Sequence, residues 1–249
     1  ALQIDNGSND NCGIASITLD GSQSQLAFDC SNVGINTVTL TVTDVNGNSS
    51  TCSATITVVD NIAPNAICQN ITAQLDANGN IVVTATQIDN GSNDNCGITS
   101  ITLDGSQAQL SYDCSNIGVN SVTLTVTDVN GNVSTCSATI TVEDNVLPTA
   151  ICQDITVQLD ANGQAVVTAT QIDNGSNDAC GIASLAINGQ AQLSFDCSNV
   201  GVNTVTLTVT DVNGNVSTCT ATITVLDNVN TPPTAVCQNI TVQLDATGN

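Results

Sequence analysis

The sequence predicts an all-β protein, a tandem array of immunoglobulin-like β-sandwich repeats of about 84 residues, stapled by disulfides. Three observations predict it. A stretch of alternating aliphatic residues and threonines, Val122–Asn145, recurs as Val38–Asn61 and Val205–Asn228. The cysteines recur in step with it, at Cys12/96/180, Cys30/114/197, Cys52/136/219 and Cys68/152/237. Turn residues punctuate the chain roughly every 8–12 positions, and no segment carries a 3.6-residue apolar period with caps, so no helix is expected.

One complete unit runs from Pro64 to Asn145. Ile67–Leu75 reads as a first strand, Asp76–Asn80 as a tight turn and Ile81–Ile88 as a second strand. A polar loop, Asp89–Asn95, leads through Cys96 to a strand at Ile98–Leu103, and Asp104-Gly105 turns the chain into Ala108–Cys114. The hairpin Ser121–Val142 completes the unit around Asp128-Val-Asn-Gly-Asn132, because Asn-Gly supplies the positive φ of a tight turn. Strict up-down order would bring both ends of a repeat to one pole, so a short extra strand is expected within Gln107–Asn120. Phe28, Tyr112 and Phe195, each two residues before a cysteine, are expected as core plugs. The repeats divide the chain into a partial unit at 1–61, complete units at 62–145 and 146–228, and the first strand and turn of a further unit at 229–249.

Composition excludes several functions. The chain has 22 acidic residues, all aspartate except Glu143, no Lys, Arg or His, and a formal charge of −22. Binding nucleic acid or anionic membrane needs cationic side chains, so neither is a partner. No apolar run approaches the ~20 residues of a membrane-spanning helix. An enzyme is not expected, since no His, Lys or Arg is present to act as base or oxyanion partner.

Four cysteines per repeat allow three connectivities. Cys96 and Cys114 flank the turn at Gly105–Ser106 almost symmetrically, so they are expected to pair across a hairpin, and Cys68 then pairs with Cys136. The equivalent pairs are Cys180–Cys197 and Cys152–Cys219, with Cys12–Cys30 in the partial unit. A zinc site is disfavoured by the absence of histidine and of C-x-x-C spacing. Paired cysteines at fixed repeat positions place the chain in an oxidising, extracellular compartment.

The motifs P-x-A-x-C-Q-x-I-T-x-Q-L-D, S-N-D-x-C-G-I, D-C-S-N-x-G and T-V-T-D-V-N-G-N-x-S-T-C cover the whole chain. Together they resemble the HYR-type (hyalin repeat) immunoglobulin-like modules of giant secreted surface proteins and adhesins of Bacteroidetes-type bacteria. The stretch Thr127–Cys136 is the most diagnostic part. The resemblance implies an extracellular array used for spacing, adhesion or filament building. It transfers no catalytic residue and names no ligand.

Calcium is the one cofactor the sequence suggests. The loop Asp89–Asp94 concentrates side-chain oxygens, and its copies include Asp173–Asp178. Candidate ligands are Asp89, Asn90, Asp94, Asp173 and Asp178, joined by Asp144 at the repeat boundary, where Asp60 and Asp227 stand in equivalent places. The loops Asp76–Asn80 and Asp128–Asn132 begin like calcium loops, but their glycine comes one place early and no bidentate Glu follows, so they read as turns. The expected partners are neighbouring copies of the repeat or chain. The alternative is a binding module in which the threonine faces (Thr123, Thr125, Thr127) meet a glycan, ice or another surface.

Overall fold

The computed structural model describes residues 1–228 and 234–247, so the segment 229–249 lies partly outside the described residues. The chain forms two compact units, Ala1–Ala73 with Ile81–Glu143, and Gln74–Asn80 with Asp144–Asn249. In chain order the strands are β1 (Ile14–Leu19), β2 (Gly34–Asp44), β3 (Ser49–Val58), β4 (Ile71–Gln74), β5 (Asn80–Thr84), β6 (Ile98–Leu103), β7 (Gln109–Asp113), β8 (Gly118–Asp128) and β9 (Val133–Glu143). The third repeat adds β10 (Ile155–Gln158), β11 (Gln164–Thr168), β12 (Ile182–Ile187), β13 (Gln192–Asp196), β14 (Gly201–Asp211) and β15 (Val216–Leu226).

Each complete repeat is a sandwich of a four-stranded and a two-stranded sheet, ordered β4-β9-β8-β6 over β5-β7, and β10-β15-β14-β12 over β11-β13. The long hairpin is its spine. Val122, Leu124 and Val126 of β8 and Ala138, Ile140 and Val142 of β9 are all buried, while the intervening threonines are half-buried or exposed. This is the two-residue alternation of the sequence made physical. In the second unit Leu159, Val167, Ile172, Ile187, Phe195 and Leu207 belong to one apolar cluster. Tyr112 and Phe195 are buried as expected, whereas Phe28 is 37% exposed.

The extra strand expected within Gln107–Asn120 is absent, and a one-turn 3-10 helix, Cys114–Asn116, stands there instead. Topology solves the end-placement problem another way. β10 runs parallel to β15, pairing Ile155 with Ile223 and Gln158 with Leu226, so the chain enters and leaves the repeat at opposite poles. The expectation of no helix also fails locally. The strand begun at Asn80 stops at Thr84, and Ala85–Ile88 forms one α-helical turn, repeated at Ala169–Ile172. Thr84 and Gln87 form a capping box, in which Thr84 N donates to Gln87 Oε1 at 2.8 Å. Four residues are too few to display a helical period, but T-x-x-Q was a readable cap.

The disulfides require the main correction. β6 and β7 do not form a hairpin with each other, because β6 pairs with β8 and β7 with β5 in the opposite sheet. Cys96 and Cys114 therefore flank strands of different sheets, and the expected Cys96–Cys114 bridge is not made. Cys96 instead joins Cys30 of the preceding repeat, with a Cα–Cα distance of 5.3 Å. Neither of the equivalent pairs forms: Cys12 and Cys197 are exposed thiols, which leaves Cys12–Cys30 and Cys180–Cys197 unmade. Within the repeats Cys68 joins Cys136 and Cys152 joins Cys219, with Cα–Cα distances of 6.1 and 5.9 Å. Cys52 and Cys237 are also exposed thiols. Residues 234–245, expected to begin a further repeat, carry no strand.

Candidate metal centre

The site is built from three segments that meet where the first repeat passes into the second. The first is the hairpin turn at Asp128. Position 128 continues the inward phase of Val122, Leu124 and Val126, so the alternation that buries the valines also buries this carboxylate, which is 0% exposed. The turn closes around it: Asn130 N and Asn132 N donate to Asp128 Oδ1 at 2.8 Å each, and Asn132 Nδ2 donates to Oδ2 at 2.7 Å. Gly131 takes φ +93°, the left-handed backbone that selects glycine in this turn. Burial pushes the Asp128 pKa up, but the donors from Asn132, Asn130 and Gly131 together outweigh it and hold the carboxyl below its usual range.

The second segment is the linker after β3. Asn132 Nδ2 also donates to the carbonyls of Asp60 and Ile62, at 3.1 and 3.3 Å, so the turn of the second repeat grips the chain arriving from the first. Asp60 Oδ1 accepts from Ile62 N at 3.1 Å, and Asp60 Oδ2 is buried without a partner. The third segment is the loop Asp89–Asn95. Asp89 organises it by accepting from Ser92 N at 3.1 Å and Gly91 N at 3.3 Å. Ser92 Oγ accepts from Ile67 N at 2.9 Å and donates to Ile67 O at 3.3 Å, which pins the loop to the entering chain. At the loop's end Asp94 Oδ2 accepts from Cys96 N at 2.7 Å and Gly97 N at 3.0 Å, while Asp94 Oδ1 is buried and unpartnered.

Carboxylate oxygens of Asp60, Asp94 and Asp128 consequently lie within 4.8 Å of one another. The second unit holds a related cluster in which the counterpart of Asp128, Asp211, is not a member and the sulfur of Cys180 is. Asp144, 6% exposed, accepts from Val146 N through Oδ1 and has a buried, unpartnered Oδ2. It groups with Asp178 and the sulfur of Cys180 within the same 4.8 Å, and that sulfur is disulfide-bonded. Asn215 Nδ2 donates to Asp144 O at 3.0 Å and to Asp211 Oδ2 at 2.8 Å, as Asn132 does for Asp60 and Asp128. Asp211 is 1% exposed.

Of the residues singled out from sequence, Asp94, Asp144 and Asp178 enter these clusters. Asp89 and Asp173 do not, because their carboxylates are spent on loop turns, and Asn90 is exposed at the surface. Asp128, set aside as a turn residue, is both a turn residue and a member of the cluster. The signal that would have found it is its phase: an acid on the aliphatic face of a strand.

No family model matches the chain, and no curated protein matches it. Solved structures do. The mouse clustered protocadherin PcdhgC3 EC1-3 shares 11% identity over 85% of this chain and 89% of that one, with a TM-score of 0.34. The protocadherin GammaB4 extracellular domain shares 12% over 85% of this chain and 43% of that one, with a TM-score of 0.39. Human mucin-like protocadherin EC1-2 shares 15% over 66% of this chain and 98% of that one, with a TM-score of 0.34.

Proposed function

We propose that this chain is a structural repeat segment of an extracellular bacterial surface filament or adhesin stalk, and that it acts as a rigid spacer. The observation that carries the reading is the Cys30–Cys96 bridge, which ties one repeat covalently to the next. Disulfides persist in oxidising compartments, which supports an extracellular location. A recognition module gains nothing from fastening its copies together, whereas a spacer gains a junction that does not come apart. The likeness of the repeat motifs to HYR-type modules supports the same reading. Enzymatic activity is no part of it. Neither nucleic acid nor membrane is a partner in it.

The test is a protease site inserted after Ala63, in the linker between the first two repeats. After cleavage the two parts should stay joined on a non-reducing gel and separate on a reducing one. In parallel, the intact chain should bind nothing on a glycan array and show no affinity for ice. Strong selective binding in either assay would replace the spacer by the binding module.

A second reading concerns partners. Val236, Ile240, Val242 and Leu244 are 70–89% exposed, in a segment whose sequence matches that of β10. The first repeat carries an open cleft of about 500 Å³ where Leu19, Leu26, Phe28, Ala54 and Ile56 lie beside Gln3, Gln25 and Thr55. A β10-type strand from another copy of the repeat would fill it and bring a Cys237-type thiol to Cys52. A synthetic peptide of residues 235–245 should then bind the protein and form a mixed disulfide with Cys52. A peptide that leaves Cys52 unmodified removes this reading.

A further inference from the structure

We infer that two repeat junctions each hold a calcium ion, bound by Asp60, Asp94 and Asp128 at the first and by Asp144 and Asp178 at the second. Acidic clusters alone do not make sites, but here the buried atoms point to a ligand. Among the described residues three buried side-chain polar atoms lack any hydrogen-bond partner: Asp60 Oδ2, Asp94 Oδ1 and Asp144 Oδ2. All three fall in these two clusters, and Asp144 is more than nine-tenths buried. A buried anionic oxygen without a donor is costly, and the sequence offers no Lys, Arg or His to compensate it. Water-filled surface loops do not explain oxygens that solvent does not reach.

The dimensions and donor chemistry fit calcium. Calcium–oxygen distances of about 2.3–2.6 Å place opposite ligands up to roughly 4.6–5.2 Å apart, which accommodates three carboxylates held within 4.8 Å of one another. Carboxylates are hard donors that engage calcium through one oxygen or two, and water completes the six to eight positions. Magnesium demands ligands at about 2.0–2.1 Å in near-octahedral geometry and keeps most of its water. The sulfur of Cys180, being in a disulfide, is no thiolate ligand. Each ion would join the exit of one repeat, through Asp60 or Asp144, to the loop of the next, and at the first junction to its turn as well.

Equilibrium dialysis of the whole oxidised chain against calcium alone should show about two ions bound per chain, with dissociation constants of about 0.1–1 mM, the range of extracellular modules. Thermal unfolding at fixed ionic strength should shift upward by at least about 5 °C between EDTA and several millimolar calcium. The isosteric variant combining Asp60→Asn and Asp94→Asn should lose one bound ion and much of the shift. In EDTA the same variant should melt higher than the unsubstituted protein, because it removes like charges that nothing neutralises. Asp20→Asn, in a turn outside the clusters, controls for general charge reduction. Binding below one ion per chain, an equal shift with magnesium, or a shift retained by the double variant would each overturn the inference.

Discussion

The hairpins Val38–Asn61 and Val122–Asn145 differ at only two places, Ser49 against Val133 and Val59 against Glu143. Both form the same antiparallel pair, with Leu40 opposite Cys52 and Leu124 opposite Cys136. Their burial differs. Ile140 is 0% exposed and Val142 1%, whereas Ile56 and Val58 are only half-buried. Val126 is fully buried and Val42 is not, and Phe28 is 37% exposed where Tyr112 is 9%. The first repeat's sheet has three strands, and among the described residues nothing there corresponds to β4 or to the β5-β7 pair. Strand and register thus come from the local pattern, while burial comes from the opposite sheet and the parallel first strand.

Four measurements sharpen that contrast. The largest effect is expected at the cysteines. Removing the Cys68–Cys136 bridge by Cys68→Ala with Cys136→Ala opens a 68-residue loop and should destabilise the second repeat by about 4 kcal/mol. Cys52→Ala, at the matching but unbridged position, should change almost nothing. Urea unfolding followed through Tyr112, the one tyrosine of the chain, reads the second repeat directly.

Next, Ile140→Ala should cost about 3 kcal/mol through lost burial and a cavity, and Ile56→Ala clearly less. Hydrogen exchange over Val133–Glu143 and Ser49–Val58 measures both, and the second span should exchange faster even before substitution. Equal protection of the two spans would remove the contrast.

A smaller effect should be similar in both repeats, because the contacts the two share are local and the one extra contact, Asn120 Nδ2 to Ile140 O, is long at 3.5 Å. Asn36 Nδ2 donates to Asn32 O at 2.6 Å and Gly34 O at 3.3 Å; Asn120 Nδ2 donates to Asn116 O at 2.7 Å and Gly118 O at 3.2 Å. Asn36→Ala and Asn120→Ala should each cost about 1 kcal/mol, read by the same hydrogen-exchange experiment.

The smallest effect is that of acid. Asp29, Asp113 and Asp196 cap the 3-10 turns, and the Ser31, Ser115 and Ser198 hydroxyls, then their backbone N–H groups, hold these carboxyls below 3.8. A carboxyl with a lowered folded-state pKa stabilises the fold above its unfolded value. That stability is lost as pH falls through the folded-state value. In salt high enough to screen the net charge, all three turns should weaken together below about pH 3.8, visible as faster exchange at Ser31, Ser115 and Ser198.

Much of this fold was legible in the sequence because alternation, Asn-Gly turns and exact repetition are local signals. The β8–β9 register and the burial of Tyr112 follow from them. The partner of β7 did not, because a short polar turn such as Asp104–Gln107 is compatible with a hairpin or with a crossing between sheets. The turn closes as one antiparallel bridge, Leu103 opposite Gln107. Asp104, at φ +43°, accepts from Thr123 N through Oδ1 at 2.9 Å, which ties the turn to β8. The pairing goes no further before the chain crosses to the other sheet as β7. The expected pairs Cys96–Cys114, Cys12–Cys30 and Cys180–Cys197 fell with the expected hairpin, whereas Cys68–Cys136 and Cys152–Cys219, reached by exclusion from it, do form. The acidic cluster was half-legible: Asp94 and Asp144 stood out by composition, while Asp128 was hidden by its credible role in a turn.

The two bridges of the first unit have a mechanical consequence. Cys30–Cys96 and Cys68–Cys136 overlap along the chain, so they interlock. From Cys30 to Cys136 the backbone runs 106 residues (136 minus 30), about 370 Å when drawn straight at roughly 3.5 Å per residue. The shortest covalent route through both bridges includes only the 28 residues between Cys68 and Cys96 (96 minus 68), about 100 Å. A tether built this way does not pay out its full contour when pulled, even after its sheets have come apart, and its slack is set by two sulfur–sulfur bonds rather than by the stability of the fold.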